Sequence, residues 1–412
     1  MISIFLEKYQ NKIFIFLIFL GSILPFFWFK HQILSIADTP FIFDPTLELY
    51  THSFTWKDVN LGGMQSRGVS LLLFFRFPIF ILSKIGLSFA IIQKLLFSSL
   101  LFISGFSFFS FIKYILQDKY VSAAAFLGAN FYMFNLYSLQ FFWHLLIILF
   151  IYAFLPIILL YCIKVFNKPN RKDFVLLTIF LLLSSPGINN LLIGLMLIVL
   201  VLFYLIIDFI FQVEGKGFKI FLKRRLFSLL LICLSFFLAW SHAVIPALYN
   251  IGKDINSATS APTVNLEYIG DASFQKVAEG FRFMGHFGFF GSYKGDLYYP
   301  YSAIYKTPLF ISLGFLIAIL CYSSFFFYRR HKKNIIIFGF LTISSFLLIN
   351  GPKSPIGAVY TFLFTRYPFF SMFRNPLDKI GLIFIFSFSV LLSISFSGIF
   401  RKINYTESKY EN

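Results

Sequence analysis

The chain has 412 residues, of which 58% are hydrophobic and only 13% charged, and its mean hydropathy is +0.82. No water-soluble core requires that much apolar surface, so a soluble globular protein is excluded and a polytopic membrane protein remains. The formal charge of +18 falls mostly in short basic clusters between apolar runs, which fits the positive-inside pattern and not a polyanion, so nucleic acid is not an expected partner.

In chain order, Lys8 and Lys12 precede a long apolar run with no small-residue cleavage site after it. This reads as a retained first helix at 12–29. An acidic and aromatic segment follows, DTPFIFDPTLELYTHSFTWKD at 38–58, then a stretch at 68–85 that Arg76, Pro78 and Lys84 interrupt. Further runs long enough to span lie near 88–112, 121–138, 140–163, 188–211, 226–247, 307–327, 335–350 and 377–399, with a shorter one at 173–186. Cys162, Cys233 and Cys321 lie within these runs without CxxC spacing and are expected as small core residues.

Charge asymmetry sets the parity of the spans. The clusters Lys164 to Lys172, Lys216 to Arg225, Arg329 to Lys333 and Arg401 to Lys402 all face the cytoplasm if 173–186 spans and 68–85 forms an interfacial helical hairpin outside. The predicted fold is therefore all-α: a polytopic bundle of about ten transmembrane helices with both termini cytoplasmic. Residues 1–306 form a core of seven spans, 307–400 add three, and 401–412 are a cytoplasmic tail. Two large extracytoplasmic loops, 30–87 and 248–306, share one side. The second is too aromatic for a disordered linker and is expected to fold against the membrane surface.

No Walker loop, GxSxG elbow, HExxH helix or Rossmann fingerprint is present. The candidates for chemistry are polar groups at the outer face. Asp38, Asp44 and Glu48 lie close in sequence where acids are scarce, and aromatic neighbours pressing them toward lipid favour a carboxylate with a raised pKa, suited to deprotonating a hydroxyl. Asp38 and Asp44 also read as helix caps, Asp44 with Pro45 after it. Arg67, Arg76, Arg366 and Arg374 are outer cations against the prevailing asymmetry, suited either to phosphate or to headgroup anchoring. Trp240 and His242, in LAWSHAVIP, offer a ring for stacking on a sugar and a group that exchanges protons near neutrality. The outer histidines have no metal-ligand spacing.

The segments DTPFIFDP followed by Trp56, LAWSHAVIP at the end of the seventh span, and MFRNPLDK before the last one resemble the GT-C superfamily of integral-membrane glycosyltransferases, and within it the alpha-(1,3)-arabinofuranosyltransferase type. The resemblance implies a polyprenyl-phosphate sugar donor, a glycan or other envelope acceptor outside the cytoplasm, and an essential acid in the first outer loop. Asp38 or Asp44 matches that acid, with Asp38 nearer the end of the first helix. Glu48, Trp56, Trp240, His242, Arg366 and Arg374 become expected substrate contacts. No cofactor is implied with certainty, although some members use a divalent metal. Full-length proteins of that type carry large outer carbohydrate-binding domains after the membrane core, whereas the sequence here ends in a short tail. The competing readings are a lipid-linked glycan flippase or other transporter, and a noncatalytic membrane assembly partner. Scarcity of ionisable residues away from the helix ends counts against transport.

Overall fold

The computed structural model describes residues 2–29, 33–34, 42, 44–53, 56–57, 64–65, 71–118, 120–143, 145–213, 218–260, 277–285, 287–299, 301–353 and 355–410. It is all-α apart from two short hairpins, and eight of the described helices are long and apolar enough to cross a membrane. Their surfaces fit that reading: Phe27, Ile206, Leu230, Phe237 and Ile319 stand exposed along the candidate spans, where lipid and not water is the compatible solvent. The chain divides into two compact units, 1–134 with 138–249, and 135–137 with 250–412.

In the first unit, α1 (Ile2–Ser22) is followed by the short α2 (Pro45–His52), then by a π-helical turn, Leu72–Arg76, that runs into α3 (Phe77–Lys84). The described part of the stretch expected as an interfacial helical hairpin is thus one continuous helical segment, Leu72–Lys84, with Pro78 next to the junction of its π and α turns. Next come α4 (Phe89–Leu116), α5 (Val121–Phe134), α6 (Leu136–Trp143), α7 (Ile148–Asn167), α8 (Arg171–Leu183), α9 (Leu191–Val213) and α10 (Phe218–Ser260). Helix α7 is the centre of this unit, with 89% of its apolar window buried, and Ser107 on α4 donates to its Ala153 carbonyl at 2.6 Å. Tyr132 of α5 and Tyr152 of α7 stack at 4.2 Å and each phenol donates to the other's backbone carbonyl, so both hydroxyls are satisfied inside the bundle.

Two expected spans are shorter than drawn. The run 121–138 breaks at Asn135, leaving α5 with 14 residues, and the Ser138 hydroxyl takes the Met133 carbonyl that the break releases. The run 173–186 becomes α8, 13 residues long, capped by the Asn170 side chain and stopped at Ser184 before a 3-10 turn, Ser185–Asn189, that contains Pro186. At 1.5 Å per residue each covers about 20 Å, against roughly 30 Å of hydrocarbon. Helix α10 differs the other way: expected to end near 247, it continues to Ser260. Of the cysteines, Cys162 and Cys321 are buried as expected, but Cys233 stands exposed on α10.

In α6, Gln140 is 1% exposed and neither atom of its amide has a hydrogen-bond partner among the described residues. An unsatisfied buried amide costs about 1–3 kcal/mol. Replacing Gln140 by Met, which keeps the volume, is expected to raise the melting midpoint in detergent; a lower midpoint would show that the amide has a partner, such as a bound water, worth keeping.

The second unit is built around α14 (Pro376–Tyr410), 94% of whose apolar window is buried, with α11 (Pro308–Tyr322) and α12 (Tyr328–Ile349) packed on it. Ser387, Ser389 and Ser393 turn their hydroxyls to carbonyls one turn back on α14 itself, and Ser395 donates to the Cys321 carbonyl. Small hydroxyl residues let helices approach closely without orphaned polar groups. Part of the aromatic second loop has local structure. A hairpin pairs β3 (Ser292–Tyr293) with β4 (Asp296–Leu297) through Lys294 and Gly295, both at positive φ, as a two-residue primed turn demands. The first hairpin, β1 (Trp56–Lys57) with β2 (Met64–Gln65), belongs to the other unit. Around the hairpin in sequence, Met284, Phe289 and Tyr299 form a buried cluster edged by Leu136, Phe290, Tyr301 and Tyr305. Helix α13 (Gly357–Arg366) completes the unit, fixed by the Tyr360 hydroxyl on the Phe373 carbonyl at 2.9 Å.

Candidate functional site

The acidic segment after the first span is organised by local chain chemistry. Asp44 has extended backbone and its Oδ1 accepts from the amides of Thr46 and Leu47, each at 3.0 Å, while Pro45 occupies the first helical position. One turn on, Glu48 Oε2 takes Arg76 Nε at 3.1 Å. The Arg76 side chain is 10% exposed and that of Glu48 39%, so the pair joins a sheltered guanidinium to a half-solvated carboxylate. Burial lowers the Arg76 pKa from its ordinary value, and the Glu48 charge and hydrogen bond work in the opposite direction. Leu47 and Tyr50 stand 60% and 67% exposed on the same short helix, which gives α2 an apolar side and a polar side, the character of an element lying in a membrane interface.

This pair predicts a modest effect. Glu48→Gln is expected to cost about 1 kcal/mol, less in high salt, because half of the pair is solvated. Limited proteolysis across 44–53 should accelerate in the variant, and an unchanged cleavage rate would show that apolar contacts alone hold α2 in place.

The other expected contacts fall as follows. Asp38 and Arg67 lie outside the described residues, as does the side chain of Trp56, whose backbone belongs to β1. Trp240 is buried: its indole Nε1 donates to the Leu181 carbonyl at 2.9 Å, and its ring meets Phe236 edge-on at 4.9 Å. It lies in α10 near the end of the candidate span Arg224–Ile245, with its indole engaged in helix packing. His242 is half-buried and bonded to the backbone of Ala239. Arg366 ends α13 and is exposed.

Arg374 is half-buried in the turn that leads into α14, and the first turn of that helix carries Asp378 and Lys379, 2% and 8% exposed. The Tyr137 hydroxyl donates to the Asp378 carbonyl at 3.0 Å. Tyr299 lies near enough to feel the Asp378 charge. Its phenol pKa is pushed well above the ordinary value, first by burial and then by Tyr301 and Asp378, so it remains a proton donor at neutral pH. The second unit thus gathers two cations, one carboxylate and a protonated phenol around the start of its central helix. The sequence pointed to Arg374 there; Asp378 and Lys379 were passed over because an Asp-Lys pair opening a helix looks like ordinary end-charge patterning.

Among the described residues no three His, Cys, Asp or Glu side chains come together as a metal site. Comparison with known proteins finds no matching family model, no matching curated protein and no matching solved structure.

Proposed function

We propose that this chain is a GT-C-type membrane glycosyltransferase that moves a sugar from a polyprenyl-phosphate donor to a glycan or other envelope acceptor on the extracytoplasmic side. The observation that carries the reading is the acid-bearing segment directly after the first span, where α2 with Asp44 and Glu48 is fixed to the sheltered Arg76 beside an apolar, lipid-compatible surface. The sequence resemblance in DTPFIFDP, LAWSHAVIP and MFRNPLDK points the same way.

In this reaction the acceptor hydroxyl oxygen attacks the anomeric carbon while the bond from that carbon to the phosphate oxygen breaks. The hydroxyl proton passes to Asp38 as general base, and the bonding pair leaves with the polyprenyl phosphate. A single displacement inverts the anomeric centre. Asp38 takes the role in preference to Asp44 because one Asp44 oxygen is committed to capping α2.

The same capping bond, together with the Glu48–Arg76 pair, favours the second reading, a noncatalytic assembly partner, since both described acids already have structural work. Transfer decides between the two. Purified protein in proteoliposomes, given radiolabelled polyprenyl-phosphate sugars and envelope glycan, should release polyprenyl phosphate in step with labelled glycan; no turnover across a panel of donor sugars would favour the assembly partner.

A further inference from the structure

We infer that the second unit carries, where α11 turns into α12, a docking surface for anionic phospholipid headgroups, made by Arg329, Arg330, Lys332, Arg401 and Lys402 beside Phe326. The sequence sets Arg329, Arg330, Lys332 and Lys333 almost side by side, and a further pair at Arg401 and Lys402. The fold brings the two groups to one place. Lys402 Nζ lies over the Phe327 ring at 5.8 Å, and Gly398 approaches that ring so closely that an added Cβ would stand 2.5 Å from its carbons. Around 398–402, α14 therefore rests on the 3-10 turn Ser323–Phe327 that joins α11 to α12. Arg329, Arg330, Lys332, Arg401 and Lys402 are all exposed. Acids are absent from the sequence around both groups: none occurs at 308–377 or 379–406, and Glu407 is the first to follow.

Height in the membrane decides the kind of partner. The candidate spans Pro308–Phe327 and Arg329–Ile349 are separated by Tyr328 alone, and Lys402 is the last residue but one of the span Pro376–Ile403. A link that short cannot lift its charges clear of the membrane surface, so the cations stand at headgroup level, where each Lys or Arg attracts anionic lipid. Helix polarity adds to the demand for anions, because the cations that open α12 face the positive end of its dipole as well as one another. Phe326 is 87% exposed in the turn between the two spans. A ring at that height is solvated by acyl chains, so one lipid satisfies both features, its phosphate on the cations and its chain on the ring. The surface lies apart in sequence from the acid-bearing segment and does not rest on the proposed transferase activity.

The test reads lipid binding. Full-length protein in a neutral detergent is titrated with phosphatidylglycerol and with phosphatidylcholine of the same acyl chains, and bound lipid is followed by native mass spectrometry. Phosphatidylglycerol is expected to bind at least about tenfold more tightly, and that preference should fall about fivefold or more between roughly 0.05 and 0.5 M salt. The triple change Arg329→Gln, Lys332→Gln and Arg401→Gln should weaken phosphatidylglycerol about 10- to 100-fold and leave phosphatidylcholine within about twofold. Its melting midpoint should be unchanged, because all three side chains are exposed. A matched triple in the first unit, Lys168→Gln, Arg171→Gln and Lys172→Gln, removes exposed cations that have Asp173 beside them and should cost less than about threefold. Equal affinity of the wild type for the two lipids overturns the surface, a result that needs no variant. Equal losses from the two triples overturn it as well, since charge at any place would then suffice. Excess glycerol 3-phosphate should fail to displace the lipid; displacement would make a soluble anion the occupant and overturn the lipid assignment.

Discussion

Asparagine at Asp38 is expected to lower sugar transfer by about 10²–10⁴-fold, the usual share of a general base. The matching change at Asp44 is expected to cost less than about threefold. The contrast rests on the Asp44 cap: Oδ1 receives the Thr46 and Leu47 amides, and asparagine caps a helix as well as aspartate does, so Asp44→Asn removes a charge and preserves α2. Asp44→Ala, by comparison, should cost about 0.5–2 kcal/mol of local stability and loosen the helix that carries Glu48. Initial rates with saturating donor, together with melting of each variant, separate chemistry from folding. A large loss in Asp44→Asn with a normal melt and full activity in Asp38→Asn would exchange the two roles. Full activity in both would leave neither Asp38 nor Asp44 as the base.

Removing the guanidinium of Arg225 is expected to be the most destabilising single change in the first unit. Asp208, on α9, is 0% exposed, and its Oδ2 takes Gln212 Nε2 at 2.7 Å. The same Gln212 nitrogen reaches Asn167 Oδ1 on α7 at 2.9 Å, while its Oε1 accepts from Arg225 of α10. Arg225 also donates to the Phe166 carbonyl and lies over the Phe166 ring at 4.6 Å. One network therefore ties three helices together, and the Arg225 charge in it offsets that of Asp208. Breaking a buried ion network at one partner costs about 3–5 kcal/mol because the other charge is left uncompensated. At about 2–4 °C per kcal/mol, Arg225→Met should lower the melting midpoint by about 6–20 °C. Asp208→Asn in the Arg225→Met background should recover part of the loss, since no carboxylate then remains unmatched. A drop of only a degree or two in Arg225→Met would show that apolar packing alone joins α7, α9 and α10.

Much of the architecture was legible in the sequence because the bilayer asks one simple question of each segment, whether about 20 apolar residues run together. The helices at 89–116, 191–213 and 308–322 follow directly from that count. The Asp44 cap was legible too, since Asp followed by Pro is a local signal that depends on nothing far away. Trp240 was not. A tryptophan next to Ser and His near an expected exit looks like an interfacial ring, and only the continuation of α10 to Ser260 and the Leu181 carbonyl within reach place it inside the packing. The break at Asn135 was equally hidden, because the apolar run passes through it and the Ser138 hydroxyl that makes it tolerable acts across a bend that hydropathy does not register.

What the sequence determined by itself is the solvent and the punctuation: a helical chain made for lipid, the places of most of its long apolar helices, and the first cap of its acidic segment. These depend on composition and on neighbours a few residues away. The tertiary structure decided which polar groups are occupied and which are left wanting. Glu48 found Arg76 across 28 positions and Arg225 found Phe166 across 59, whereas the Gln140 amide is covered without a hydrogen bond among the described residues. Whether a buried polar group has a partner depends on groups distant in sequence and adjacent in space, and that adjacency exists only once the helices have packed.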